Sequence, residues 1–206
     1  MLKKVVFIIS KQVNKLKKSF WVLIIAAAVV LSACGQKGIE NPLNYTVGDF
    51  TFTNQDNESV GLKDLEGKVW VADFIFTNCA DVCMPMTSNM SQLQDMVEEE
   101  GIENVEFVSF SVDPTVDSPE VLKEYGERYN ADFGNWSFLT GYEQEEIEKF
   151  AADSFKSLVK KPDNSDQVLH YTTYYLVDQE GKVMKDYDGV TDVPFEQIIK
   201  DIKTLQ

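Results

Sequence analysis

The clearest structural signal in the chain is the segment Val71-Ala-Asp-Phe-Ile-Phe-Thr-Asn-Cys79-Ala-Asp-Val-Cys83-Met-Pro-Met86. Residues 69–76 are mostly β-branched or aromatic and include one charged side chain, which is typical of a strand covered on both faces. Apolar residues then recur at helical spacing, with polar residues between them, at Met86, Met90, Leu93 and Val97. Cys79 and Cys83 therefore lie where a buried strand passes into a helix. In open α/β sheets, ligands collect at such carboxyl ends of strands.

The spacing of these two cysteines suits either a disulfide or a metal ion. Residues four apart in a helix stand on one face, and their Cα atoms are about 6 Å apart, which a disulfide can span. When reduced, Cys79 and Cys83 could hold one soft metal ion, and a helix N-terminus favours the thiolate form. The alternative is a pair of inert core cysteines or a structural disulfide, although a structural disulfide stabilises more when it closes a long loop.

The charge of the chain is distributed unevenly. The net charge is −15, yet residues 1–33 contain six lysines and no acid, so the rest of the chain has 13 basic and 34 acidic residues, a formal charge of −21. Nucleic-acid binding depends on cationic contacts to phosphate. A body this acidic therefore argues against a nucleic-acid partner.

The start of the chain has the pattern of a lipoprotein leader. After the lysines comes an apolar run over residues 21–31, too short for a comfortable membrane span and typical of a signal-peptide core. Leu31-Ser32-Ala33-Cys34 resembles the bacterial lipobox, in which the cysteine is acylated and becomes the mature N-terminus. We therefore expect residues 1–33 to be a lipoprotein signal peptide. The alternative is an uncleaved anchor helix that ends near Cys34, and either arrangement puts the body on the outer face of the bacterial cytoplasmic membrane.

The cysteine count supports a special role for the pair. The chain has three cysteines, and acylation would consume Cys34. Cys79 and Cys83 are then the two remaining thiols, and they lie in an oxidising compartment.

The order of elements predicts one α/β domain over residues 46–206, preceded by a tether over residues 34–45. The predicted order is a leading β-hairpin, then strand, helix, strand and helix, then a final hairpin and helix. This is the order of a thioredoxin-like fold with an N-terminal β-hairpin extension. The predicted ranges are 50–53 with 59–62 for the first hairpin, 82–100 for the first helix, 105–112 for a strand, 118–129 for a helix, 136–139 for a short strand, 143–153 for a helix, 171–177 with 182–187 for the last hairpin and 194–205 for the last helix.

The chain contains one histidine, His170. It follows a polar loop over residues 160–167 and directly precedes the predicted strand 171–177. If the fold prediction holds, the start of that strand faces the cysteines, and an imidazole with two thiolates suits copper or zinc. The alternative is a surface or hydrogen-bonded histidine without a ligand role.

Three motifs together give a resemblance to the Sco/SenC family of copper-binding, thioredoxin-like proteins that serve cytochrome c oxidase assembly. The resemblance covers about residues 42–206, and the chain looks like a Gram-positive lipoprotein member. It implies that Cys79, Cys83 and His170 bind one copper ion. The motifs are the strand and cysteine segment Asp73–Cys83, the segment Ser111-Val-Asp-Pro114 with Asp117 and Pro119, and His170 followed by Tyr171–Asp178 and Gly181-Lys-Val183.

The chain departs from the family pattern beside the cysteines. Members commonly have proline directly after each cysteine, whereas this chain has Ala80 and Met84 there, with a proline at position 85. Asp81 matches an acid of the family motif, and we expect it to orient the loop around the ligands. Its alternative is a solvated surface acid. The methionines at 84, 86 and 90 have helical spacing, which favours core packing over copper ligation.

The resemblance favours a copper-binding assembly factor for the copper A centre, with subunit II of cytochrome c oxidase as partner and copper as cargo. The alternative is a thiol-disulfide oxidoreductase that reduces the copper-site cysteines of the oxidase. It would use Cys79 and Cys83 as a redox-active pair and would not need the histidine. A peroxiredoxin-like peroxidase is disfavoured because the chain lacks the usual proline–threonine–cysteine context.

We predict that the mature protein begins at an acylated Cys34. A single acyl chain binds membranes only marginally, whereas two or more give stable anchoring. The intact mass of the protein extracted from membranes should correspond to residues 34–206 with a diacylated N-terminal cysteine. A chain that begins at an unmodified Met1 would contradict the prediction.

Overall fold

The strand that leads to the cysteines lies in the middle of a six-stranded sheet and is buried along its whole length. The computed structural model describes residues 38–79 and 82–206. Within those residues the strands are β1 (Tyr45–Thr46), β2 (Thr51–Thr53), β3 (Ser59–Gly61), β4 (Val69–Ile75), β5 (Val105–Ser111), β6 (Trp136–Leu139), β7 (Val159–Lys160), β8 (Leu169–His170), β9 (Thr173–Val177) and β10 (Lys182–Asp188). The helices are α1 (Cys83–Glu99), α2 (Pro119–Arg128), α3 (Gln144–Phe150) and α4 (Phe195–Leu205).

The main sheet has the order β1-β10-β9-β4-β5-β6. β4 pairs in parallel with β5, which pairs in parallel with β6, and the other three pairs are antiparallel. The register of β4 and β5 runs from Val69 opposite Val105 to Ile75 opposite Ser111. Because parallel strands end at the same edge of a sheet, the residues after β4 and those after β5 lie side by side.

The two faces of the sheet have separate cores. Even-numbered residues of β4 pack into an aromatic cluster that includes Phe110 and Phe155. Its odd-numbered apolar residues pack on the opposite face, beneath α1 and α4. This alternation, which follows from the pleat of a strand, places Asp73 on the second face.

Most predicted elements are confirmed with small shifts at their ends. β2 and β3 form the predicted N-terminal hairpin, and Ser118 caps α2 by accepting a hydrogen bond from Val121 N at 3.4 Å. α1 ends where Gly101 adopts a φ of +62°, a conformation that favours glycine. The α/β, thioredoxin-like fold predicted from the order of elements is confirmed.

Two regions differ from the prediction. The helix predicted to Asp153 is α-helical only to Phe150 and continues as a π-helical turn, Ala151–Phe155, which ends at Lys156 with a φ of 54°. The region predicted as a polar loop is flanked by β7 and β8, which pair as a separate two-stranded ribbon. Short-range pattern could not predict these two-residue strands, because each is defined by its pairing with residues that lie 9 to 11 positions away in the chain.

Within the described part of the chain, none of the helices has the length and apolar composition needed to cross a bilayer.

Candidate metal centre

Three side chains from two separate parts of the chain converge at the carboxyl edge of β4. Cys79 lies in the turn after β4 and is partly exposed, and Cys83 is the first residue of α1 and is 1% exposed. His170 lies in β8 and is partly exposed. The two sulfurs and a ring nitrogen all lie within 4.8 Å of one another. The convergence expected from the sequence is therefore present, in a geometry that fits one metal ion.

The turn and the helix start hold the two cysteines close together. Cys79 N donates to Phe76 O at 3.4 Å, which closes the turn after the strand. Cys83 N donates to Cys79 Sγ at 3.4 Å, so the first N–H of α1 is directed at that sulfur. Hydrogen bonds from a helix N-terminus stabilise negative charge on sulfur. Both residues are in the reduced thiol state.

Cys83 holds its proton strongly in the absence of a metal. Its hydrogen-bonded Cys79 neighbour, followed by burial, raises the pKa of the Cys83 thiol far above its ordinary value. A thiol with so high a pKa stays neutral at physiological pH. A metal ion that binds Cys83 must therefore displace this proton.

The orientation of His170 leaves one nitrogen for a metal. Nδ1 lies 3.0 Å from the backbone oxygen of Tyr171, and a carbonyl only accepts hydrogen bonds, so Nδ1 carries a proton and donates it. In the neutral imidazole, Nε2 then has the lone pair, and it lies 3.5 Å from Cys83 Sγ. The ring packs edge-on against Phe76, with 5.7 Å between ring centroids. The packing and the hydrogen bond together aim Nε2 at the sulfurs.

A buried carboxylate fixes the turn that carries Cys79. Asp117 is fully buried and accepts hydrogen bonds from Thr77 Oγ1 at 2.5 Å, from Thr77 N at 3.3 Å and from Ser111 Oγ at 2.6 Å. These bonds join the end of β4 to the end of β5. Asp117 was part of a family motif in the sequence, but its role as the acceptor for this turn depends on the contact between strands and could not be read from spacing.

The loop between β7 and β8 is tied to the same edge of the sheet. Lys161 Nζ lies 2.6 Å from Asp113 Oδ1, in an ion pair whose carboxylate is almost completely buried. At the other end of the loop, Gln167 Nε2 donates to Asn78 O at 3.1 Å. The ribbon that presents His170 is thus attached on both sides of the cysteine turn.

A second buried acid, Asp73, lies in β4, the strand that leads to Cys79. Burial raises its pKa to about 7, and a charge interaction with His170 offsets part of the increase. Sequence reasoning quoted Asp73 only as a motif residue. One acid inside an otherwise apolar strand was the signal that could have marked it as functional.

The other predicted residues have mixed outcomes. Cys34 and Asp81 lie outside the described residues, so acylation of the first and loop orientation by the second stay predictions. Met86 and Met90 are buried in the core as expected. The prediction that Met84 is also a core residue is wrong, because its side chain is 53% exposed. Met84 follows the buried Cys83, and each residue along a helix is rotated by about 100° from the residue before it. This rotation takes the side chain of Met84 away from the buried face that Cys83 occupies.

Comparison with known proteins identifies the family of the chain. The sequence profile of the SCO1/SenC family matches residues 40–206. The chain belongs to the SCO1/SenC family. Among its relatives in the family, the SCO1 protein homolog of Bacillus subtilis (strain 168) is 53% identical over 174 residues, which are 84% of this chain and 90% of the relative.

Solved structures of SCO1/SenC proteins have the same fold. A SCO1/SenC family lipoprotein from Bacillus anthracis str. Ames is 55% identical, with a TM-score of 0.79, and the match covers 82% of this chain and 99% of that one. BsSco, described as having a disulfide switch and as a member of the Sco family of cytochrome c oxidase assembly proteins, is 53% identical, with a TM-score of 0.76 and coverage of 81% and 96%. The copper-bound structure of Bradyrhizobium japonicum ScoI is 25% identical, with a TM-score of 0.65 and coverage of 78% and 99%.

We predict that Asp117→Asn loosens the cysteine turn. The amide replaces one acceptor oxygen with a donor, so at least one buried hydrogen bond from Thr77 or Ser111 is lost, which costs about 1–3 kcal/mol of unfolding free energy. Urea unfolding of the full reduced chain at one fixed detergent concentration measures the loss, and cadmium titration measures the metal affinity.

The matched control is Asp178→Asn. Asp178 also accepts two backbone hydrogen bonds, from Glu180 N and Lys182 N, but it lies in the turn between β9 and β10 at the opposite end of the sheet. The Asp178→Asn variant should therefore have the same cadmium affinity as the wild type. Equal cadmium affinity in the wild type and Asp117→Asn would contradict the positioning role.

Proposed function

We propose that this chain binds one copper ion through Cys79 Sγ, Cys83 Sγ and His170 Nε2 and delivers it to the copper A centre of cytochrome c oxidase. The observation that carries the proposal is the convergence of two thiols and one correctly oriented imidazole nitrogen within 4.8 Å. Copper is the cargo, and subunit II of the oxidase is the partner that receives it.

The donor set suits this cargo. Thiolates are soft ligands that favour cuprous copper, and imidazole suits both copper valences. Three protein ligands leave a position open for a ligand from the receiving protein, so copper can pass between the two by stepwise ligand exchange. The copper-bound structure of Bradyrhizobium japonicum ScoI supports copper over zinc.

The proposed location is the outer face of the cytoplasmic membrane, with Cys34 as the lipid anchor. The lipobox-like sequence supports this placement, as does the description of the relative from Bacillus anthracis as a lipoprotein. Residues 34–45 would act as a tether that lets the domain over residues 46–206 reach the partner. We also propose that Asp81 orients the loop between the two cysteines.

The second candidate function is a thiol-disulfide oxidoreductase that keeps the copper-site cysteines of the oxidase reduced. It is favoured by one observation, the unequal exposure of the two thiols. Cys79 is partly exposed and receives a helix N–H, so it suits attack on a partner disulfide, whereas the buried Cys83 suits the resolving step. The disulfide switch described for BsSco is consistent with this chemistry.

We predict that His170→Ala separates the two functions. Removal of one of three protein ligands should weaken copper binding by about 100-fold or more, since even the outer partners of metal ligands are worth about 10- to 100-fold. Disulfide formation between Cys79 and Cys83 should be largely unaffected. Competition with a copper chelator measures the affinity, and assays of oxidase activity in cells measure assembly.

The cell experiment compares His170→Ala, Cys79→Ser and the control Leu169→Ala. Leu169 is in the same strand as His170 but is exposed, so its side chain lies on the other face of the ribbon. Copper delivery requires that both ligand variants lose oxidase while the control keeps it. If His170→Ala assembles oxidase normally and Cys79→Ser does not, the copper proposal fails and the oxidoreductase stands.

We further predict that the redox state of the cysteines controls copper binding. Both sulfurs must become thiolates to bind the ion, and a disulfide has neither. Under anaerobic titration, the reduced chain should bind one equivalent of copper tightly and the oxidised chain should not. Equal binding by the disulfide form would place the ligands elsewhere and overturn the assignment of Cys79 and Cys83.

A further inference from the structure

Asp73 is a buried acid that none of the proposed steps uses. It lies in β4, six residues before Cys79, and its side chain is 0% exposed. Among the described residues, neither of its oxygens has a hydrogen-bond partner of good geometry, and it belongs to none of the ion pairs found there. A buried acid without a hydrogen-bond or ion-pair partner destabilises the fold. Its presence here therefore indicates a role in function.

Among the titratable groups around Asp73, those of the metal centre are the ones whose charge can change. The titratable groups that face it are Cys83 on α1, Tyr125 on α2, Tyr174 on β9 and His170 on β8. Burial raises the pKa of both tyrosines, so they stay neutral at physiological pH. The Cys83 thiol is also neutral until a metal or an oxidant removes its proton.

The pKa of Asp73 itself is poised near neutrality. Burial raises it to about 7, while the Ser109 side chain and the charge interaction with His170 oppose part of the increase. The Ser109 hydroxyl accepts a hydrogen bond from Trp136 Nε1 at 2.9 Å, and its interaction with the carboxyl lowers the pKa of Asp73. A group poised in this way gains or loses a proton in response to one additional nearby charge.

The two valences of copper differ in the charge that they leave at the centre. Two thiolates and a cupric ion sum to zero, as do two neutral thiols or a disulfide. Two thiolates and a cuprous ion sum to −1. Repulsion from this extra negative charge, in a buried region of low dielectric, favours the protonated form of a carboxyl that interacts with the centre.

We propose that Asp73 makes the centre discriminate between the valences of copper, by taking up a proton when the cuprous ion binds and remaining ionised when the cupric ion binds. The inference rests on the proposed function, in which Cys79, Cys83 and His170 hold the ion. In the cuprous case two thiol protons leave, one passes to the Asp73 carboxylate and one reaches solvent. In the cupric case both protons reach solvent.

A pH dependence follows from this proton balance. Below about pH 6, Asp73 is already protonated, so the ratio of cuprous to cupric affinity does not change with pH. Above about pH 7, each cuprous ion bound must bring one additional proton, so the ratio falls by up to tenfold per pH unit. Asp73 would thus bias the centre toward the cupric ion as the pH rises.

The test is a proton count on the full reduced chain in detergent, under anaerobic conditions. Isothermal titration calorimetry in buffers of different ionisation enthalpy gives the protons released per metal bound. The probes are the cuprous ion, kept in solution with acetonitrile, and cadmium, a divalent ion that cannot oxidise the thiols. At pH 8 the wild type should release close to one proton fewer with the cuprous ion than with cadmium, and this difference should disappear at pH 6.

Asp73→Asn should abolish the difference at pH 8 between the protons released with the cuprous ion and with cadmium, because the amide takes up no proton. The three ligands are unchanged in this variant, so the protons that they release are the same for both ions. Asp201→Asn is the matched control. Asp201 is also a buried acid, but it lies on α4 and accepts from Tyr187 Oη at 2.8 Å, so this variant should keep the one-proton difference. If Asp73→Asn does not fold, the wild-type comparison of pH 6 with pH 8 still decides the question.

The outcomes distinguish this inference from the proposed function. Failure of the wild type to bind one equivalent of cadmium or of the cuprous ion would overturn the ligand assignment itself. Normal binding with equal proton counts for the two ions at pH 8, or a one-proton difference that survives in Asp73→Asn, would overturn the role of Asp73 and leave the ligand assignment standing.

Discussion

The parallel pairing of β4 with β5 is the constraint on which the centre depends. The pairing continues past the end of β5, where Val112 N donates to Ile75 O at 2.7 Å. It brings the segment after β5 against the turn after β4, so that Asp117 can accept the hydrogen bonds of Thr77. Without this alignment the turn would have no fixed geometry, and the sulfur of Cys79 would have no fixed position relative to the helix that begins with Cys83.

The buried position of the centre changes how strongly its groups hold protons. Cys83 lies at the start of α1 in apolar surroundings, and Asp73 is buried in β4 without a cationic partner among the ion pairs of the described residues. The Cys79 neighbour and burial raise the pKa of Cys83, and burial raises the pKa of Asp73 to about 7. An ion that binds through the two thiols must replace their protons, which makes the affinity depend on pH.

Much of the centre could be predicted from local pattern. The change from a buried-strand composition to helical spacing identified β4, α1 and the junction at which both cysteines lie, because this signal depends on neighbours in sequence. The same reasoning failed for Met84. Helical spacing was applied to it without the rotation of about 100° that separates it from the buried Cys83. It also missed the β7–β8 ribbon, since two-residue strands exist only through their pairing.

Local sequence was therefore sufficient for the strand, the helix and the pair of thiols at their junction, because these follow from the conformational preferences and the periodicity of adjacent residues. The third donor needed the folded chain. His170 is 87 residues from Cys83, and its approach to 3.5 Å depends on the register of a ribbon, two loop contacts and the packing of one aromatic ring. The raised pKa of Asp73 likewise arises from burial by several distant elements, and desolvation is a property of the whole tertiary structure that no short segment contains.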